Sequence, residues 1–178
     1  MTTRIDESLL TLARFRIGGE AFALPVSAVA SIAGFPEGDR IITHIGEPNY
    51  FMGFYRSLTG LIPLIDLRVM REAPIAMTYR TALVVLRPQP HAIAVVVDEL
   101  LASRVVGPSE ILPPERFQLQ DKLTQAASGV LLEGWAITYL LALKRLLDTV
   151  ARDATEQAGQ HCEIKALHDH FEHVDGGF

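Results

Sequence analysis

The chain has 178 residues, 49% of them apolar and 21% charged, with a formal net charge of −5. That is enough apolar material for one domain, or two small ones sharing a core, and too much for intrinsic disorder. The modest acidic balance, with its signs interspersed, argues against a general nucleic-acid-binding surface.

The longest aliphatic run, Ala92 to Val97, stops at Asp98. A spanning helix needs roughly 20 apolar residues, so no direct membrane insertion is expected. Asp6 and Glu7 stand where the apolar stretch of a secretory signal would begin. The single Cys162 leaves no internal disulfide. Both observations fit a cytoplasmic location.

Residues 1–11 read as a flexible lead. From Ala13 the pattern alternates, with Ala13, Phe15 and Ile17 on one side and Arg14 and Arg16 on the other. That is the two-residue period of a half-buried strand. Gly18-Gly19 interrupts it and Phe22 with Leu24 resume it, which predicts a hairpin. Pro25 suits the start of a helical turn carrying Val26, Val29 and Ile32 on one face. Pro36 to Arg40 reads as a turn-rich, charged loop. In Leu61 to Ile65, Pro63 removes a ladder donor and predicts a strand start or bulge.

Thr81 to Leu86 and Ala92 to Val97 read as strands around the turn Pro88-Gln89-Pro90, and Ala102 to Val106 as another. Gly107 to Ala127, with Pro108, Pro113 and Pro114, reads as a long loop. Val130 to Leu132 and Trp135 to Leu141 form a last hairpin around Glu133-Gly134, with Trp135 expected to support it. Then the period changes. Leu143, Leu146, Leu147, Val150, Ala151 and Ala154 predict a helix from about Ala142 to Ala158. Many short strands and one terminal helix define an all-β barrel or sandwich.

No glycine-rich phosphate loop, His-Glu-x-x-His or Gly-x-Ser-x-Gly occurs. Asp98-Glu99 is a carboxylate pair, but adjacent strand residues face opposite sides, so it reads as a solvated strand end. No catalytic residue, metal site or cofactor is therefore expected. Residues 159–178 hold His161, Cys162, His168, His170 and His173 beside an apolar stripe of Ile164, Leu167, Phe171 and Val174. Three readings stand: a short amphipathic docking helix, an unstructured tail, or a metal site. The stripe accounts for more of these residues than a metal does.

The order of pieces resembles the CheW-like family of chemotaxis adaptors. The resemblance rests on Phe15-Arg-Ile-Gly-Gly-Glu-Ala-Phe-Ala-Leu24 and on Ile45-x-x-Pro48 followed by Gly53. Pro63-Leu-Ile-Asp66-Leu-Arg68, Val95-Val-Val-Asp98-Glu-Leu, the Val105–Pro114 loop and the Leu140–Leu147 segment complete it. It covers roughly Leu12 to Asp148, within a CheW-like domain taken as 12–158.

It implies two five-stranded SH3-like β-barrels packed side by side on an interleaved chain path, with a C-terminal helix. It also implies a non-catalytic scaffold joining the regulatory domain of a chemotaxis histidine kinase to chemoreceptor cytoplasmic tips in two-component signal transduction. Val29 and Gly53 match the kinase-facing surface, with Ser31 where an acidic residue is usual. Val29 also fits core packing, and Gly53 also fits a positive φ. The segment that normally reads Asn-Leu-Arg-Gly is Arg56-Ser57-Leu58-Thr59, so the receptor-contacting arginine is replaced by Leu58. Arg56 is the substitute if it faces the same side. A divergent member that binds a kinase or accessory protein without strong receptor coupling is the alternative. An enzyme on a barrel scaffold and a nucleic-acid-binding small barrel are the readings from other classes. Phe51, Phe54 and Tyr55 have only Arg56 near them, too little positive charge for the latter.

Overall fold

The computed structural model describes residues 9–46, 48–87, 92–152 and 155. The expected flexible lead and histidine-rich tail lie almost wholly outside them.

The alternation from Ala13 builds β1 (Leu10–Ile17), and the Gly18-Gly19 turn returns it as β2 (Glu20–Pro25). One 3-10 turn, Val26–Ala28, leads into β3 (Val29–Gly34). The helical turn thus ends before Val29, and Val29 and Ile32 belong to a strand. A short β4 (Ile41–Thr43), β5 (Phe51–Ser57) and β6 (Gly60–Asp66) follow, none of the first two evident from the sequence. Pro63 lies within β6, not at its start. It sits just before the point where a further strand begins to pair at Leu64, so no neighbour there is deprived of a donor.

Beyond β6 come the single-turn α1 (Leu67–Met70), β7 (Ala82–Leu86), β8 (Ile93–Val97) and β9 (Glu99–Val106). The long loop contains α2 (Lys122–Gln125), capped by the Asp121 carboxylate accepting from Leu123 and Thr124 N–H groups. The chain closes with β10 (Ala127–Glu133), β11 (Ala136–Leu141) and a helix, α3, over 143–152, with residue 155 also helical. Trp135 sits fully exposed at the tip of the last hairpin and supports nothing.

Two sheets result. One has five strands in the order β10-β11-β2-β1-β9 and the other six, β3-β7-β8-β6-β5-β4, one more than expected. The second is inserted between β2 and β9 of the first, which is the interleaved path. Each sheet has its own small core: Leu12, Ala23, Val106, Leu131 and Leu140 in the first, and Ile62, Leu64, Leu83, Val85, Ala94 and Val96 in the second. Their other faces share one larger core that includes Phe15, Phe22, Val84, Val95 and Leu146. Strands β7 and β8 are buried on both faces, which is why they read as unbroken apolar runs.

Candidate functional site

The most specific stretch of sequence, Pro63 to Arg68, builds a buried joint. Asp66 ends β6 and caps α1, accepting the Arg68 backbone N–H at 3.0 Å. The Arg68 side chain, 0% exposed, folds back on it, donating Nε to Oδ1 at 2.9 Å and Nη2 to Oδ2 at 2.7 Å. Nη1 donates to the Ala76 carbonyl at 2.9 Å and lies 3.4 Å from Asp98 Oδ1. Burial works against the charge of Arg68. The hydrogen bonds and charge of Asp66, then Asp98, more than offset it, so its pKa is raised and it stays a cation.

Asp98 and Glu99 correct the reading of a solvated strand end. Asp98 stands where the chain crosses from the second sheet to the first. It accepts the Gly18 N–H at 2.7 Å as well as facing Arg68. Glu99 pairs with Arg16 at 2.8 Å and Arg80 at 3.1 Å. A second arginine of the same turn, Arg71, went unnoticed in the sequence. It donates to the Ile17 carbonyl at 2.9 Å, pairs with Glu20 and Asp121 at 3.1 Å each, and lies over the Phe22 ring. Its spacing from Arg68, three residues on one helical turn, was the available signal. Asp66, Arg68, Arg71 and Asp98 thus fasten the second sheet to the β1–β2 turn. Among the described residues no group of three His, Cys, Asp or Glu side chains is placed to hold a metal.

The expected interface residues fall differently. Val29 is 8% exposed and packs in the shared core, in line with the core-packing alternative for it. Ser31, two positions on, is exposed because a β-bulge between them breaks the two-residue period. Gly53 is buried too, with φ +123° beside a second bulge between Phe51 and Gly53. A Cβ there would lie 1.9 Å from the Ile42 carbonyl oxygen, so glycine is what lets β4 approach β5. Val29 and Gly53 therefore shape the surface from beneath.

Arg56 is exposed on β5 opposite Leu61. Leu58 is fully exposed, but in the β5–β6 turn, so the period-two argument relating it to Arg56 ends at Ser57. The turn is braced by the Ser57 hydroxyl donating to the Gly60 carbonyl at 2.8 Å. Its positive φ belongs to Gly60, not Thr59, so Thr59 costs the turn no backbone freedom.

Among the described residues, apolar side chains that stand in solvent include Val26 in the turn before β3 with Ile32 on β3; Ile42, Phe54 and Leu61 on the outer face of β4–β6; and Leu132, Trp135 and Ile137 on the last hairpin. Apolar side chains grouped in this way on a rigid scaffold mark docking surfaces rather than catalytic ones.

A β-rich scaffold of two joined sheets with exposed apolar faces is the architecture of an adaptor, and the chain belongs to the CheW-like domain family, whose model matches residues 11–151. Its members are non-catalytic chemotaxis adaptors, and this chain is one in that general sense. Among solved structures it is similar to the scaffolding protein TtCheW from Thermoanaerobacter tengcongensis. The identity is 17% and the TM-score 0.64, over 76% of this chain and 90% of that one. No curated protein matches it in sequence. Among the described residues no helix is long and apolar enough to cross a membrane.

Proposed function

We propose that this protein couples the regulatory domain of a chemotaxis-type histidine kinase to chemoreceptor cytoplasmic tips, on the cytoplasmic side of a signalling array. The observation that carries the kinase half is the β3 edge. Ala30, Ser31 and Ile32 are exposed and uncharged on a strand with one free flank, where natural edges are normally guarded by charge or proline. Val29 supports this edge from below, and Gly53 holds the opposite edge of the same sheet in register. Full-length protein titrated with the kinase regulatory domain tests the reading. Ser31→Arg should keep the fold and weaken binding about 30-fold, or ~2 kcal/mol. Absence of binding by the unaltered chain refutes it.

The receptor half is weaker, and Leu58 favours the divergent reading for it. An apolar side chain projects where the family presents a cation, so a charge-assisted contact worth ~2–5 kcal/mol on truncation is missing. Arg56, on β5 and separated from β3 by three intervening strands, is the remaining cation beside that turn. The protein then binds its kinase or an accessory partner well and receptor tips poorly. Leu58→Arg should raise affinity for a receptor-tip fragment. Tight receptor binding that ignores changes at both Arg56 and Leu58 refutes this half.

A further inference from the structure

We infer that the exposed segment between α1 and β7, residues 72–80, pairs antiparallel with the same segment of a second copy and makes a two-fold dimer. The chain runs from Ala73 to Thr78 without a turn or bend, and every residue from Pro74 to Arg80 is exposed. It is nonetheless fixed in place. The buried Arg68 donates Nη1 to the Ala76 carbonyl at 2.9 Å and reaches Met77 Sδ at 3.5 Å. The Thr78 N–H donates to the Thr81 hydroxyl at 2.9 Å, and the Thr81 N–H returns to the Thr78 carbonyl at 3.1 Å. A segment ordered in this way, with Ile75, Met77 and Tyr79 left in solvent, has already lost the chain entropy that docking would cost.

The backbone supplies the ladder. In an extended chain the N–H and C=O of successive residues point to opposite sides. The Ala76 carbonyl and the Thr78 N–H face inward, so those of Ile75 and Met77 face outward, and among the described residues nothing bonds to them. Pro74 falls on the inward set, where its missing N–H leaves the outward ladder intact and does not guard the edge.

The segment is self-complementary about Ala76. With a two-fold axis there, Ile75 stands opposite Met77 of the second copy, and both such pairs exchange backbone hydrogen bonds. Ala76 meets Ala76 of the second copy in the closer, non-hydrogen-bonded pair, Cα atoms about 4.5 Å apart, where a methyl group fits. Ile75 and Met77 of both copies then form one apolar cluster. Charge selects the same register. Glu72 has no ion-pair partner among the described residues, whereas Arg16 and Arg80 share the single carboxylate of Glu99. Antiparallel pairing sets Glu72 of each copy against Arg80 of the other, while parallel pairing would set like charges together. One strand pair places the interface below about 1,200 Å², so the dimer is a weak one. It does not depend on the kinase reading.

Ala76→Cys in a Cys162→Ser background tests the axis in the full-length protein. Under mild oxidation it should form a disulfide-linked dimer about tenfold faster than Trp135→Cys, a fully exposed site with no counterpart across the axis. Sedimentation equilibrium tests the register. Glu72→Arg and Arg80→Glu, each folded by circular dichroism, should each weaken self-association about tenfold, and an equimolar mixture of the two should recover it. Cross-linking of Ala76→Cys no faster than that of Trp135→Cys, or a mixture that associates no better than either variant alone, would overturn the inference.

Discussion

Removing one partner of the Asp66–Arg68 pair should destabilise the protein far more than removing both. In Asp66→Asn the cap acceptor is retained, but a guanidinium with no solvent exposure keeps only Asp98, 3.4 Å away, as a counter-charge. In Arg68→Met the stem is preserved and the Asp66 carboxylate, 2% exposed, is left without its bidentate donor. Each single change strands a buried charge, which costs ~3–5 kcal/mol, against a total stability of roughly 5–15 kcal/mol. At about 2–4 °C per kcal/mol for a chain of this size, Tm should fall by about 6–20 °C. The double variant removes both charges and should cost only about 1–2 kcal/mol where additivity would give roughly 6–10, a coupling energy of about 4–9 kcal/mol. Urea unfolding followed by far-ultraviolet circular dichroism measures the cycle; fluorescence is a poor reporter, because Trp135 is already in water in the native state. Single-variant costs below about 1 kcal/mol, or simple additivity, would refute the claim that this pair is a buried, desolvated joint.

Gly53→Ala should cost at least ~2 kcal/mol in urea unfolding, since its Cβ meets backbone, whereas Gly134→Ala, at φ +63° in open space, should cost only ~1 kcal/mol. Glu72 occupies the left-handed position of a Schellman cap, with its own N–H bonded to the Val69 carbonyl and that of Ala73 to the Arg68 carbonyl; Glu72→Gly should stabilise by about 0.5–1 kcal/mol, seen as a higher Tm. Val29→Arg should unfold the protein by circular dichroism, where Ser31→Arg leaves it folded. Arg16, then Arg80, hold the Glu99 carboxyl below its ordinary 4.5. Its contribution is therefore complete above about that pH and lost as pH falls through the lower folded value, so the stability gap between the unaltered protein and Glu99→Gln should close on acidification.

What could be read in advance followed from simple periods. Strand β1 alternates cleanly, β7 and β8 are apolar throughout because each contributes to two cores, and α3 announces itself by a change of period. The Pro63–Arg68 segment was legible as a signature but not as a joint, since Arg68 and Asp98 meet only when the crossover after β8 brings them together. Three strands were missed for local reasons. β4 has only three residues, β3 is made largely of alanine, serine and glycine, and β5 has its alternation broken at Gly53. The left-handed Glu72 violates the glycine preference at such positions and carried no sequence signal.

The two positions matched to an interface, Val29 and Gly53, each adjoin a β-bulge, and that is where period-based reasoning about exposure must fail. With an unbroken period, Val29 and Ser31 would share a face and be exposed or buried together. One extra residue in β3 lets Val29 enter the shared core while Ser31 faces solvent. One extra residue in β5 lets Phe51 and Phe54, three apart, meet edge-on on the same outer face while Gly53 closes against Ile42. A bulge re-aims side chains without changing the fold around it, so it can present a docking surface on a strand whose other residues are committed to the core. Under the proposed coupling function, the residues expected to meet a partner are the re-aimed neighbours, Ser31, Ile32, Ile42 and Phe54, and substitutions at Val29 or Gly53 are expected to act on binding through the strand they hold in place.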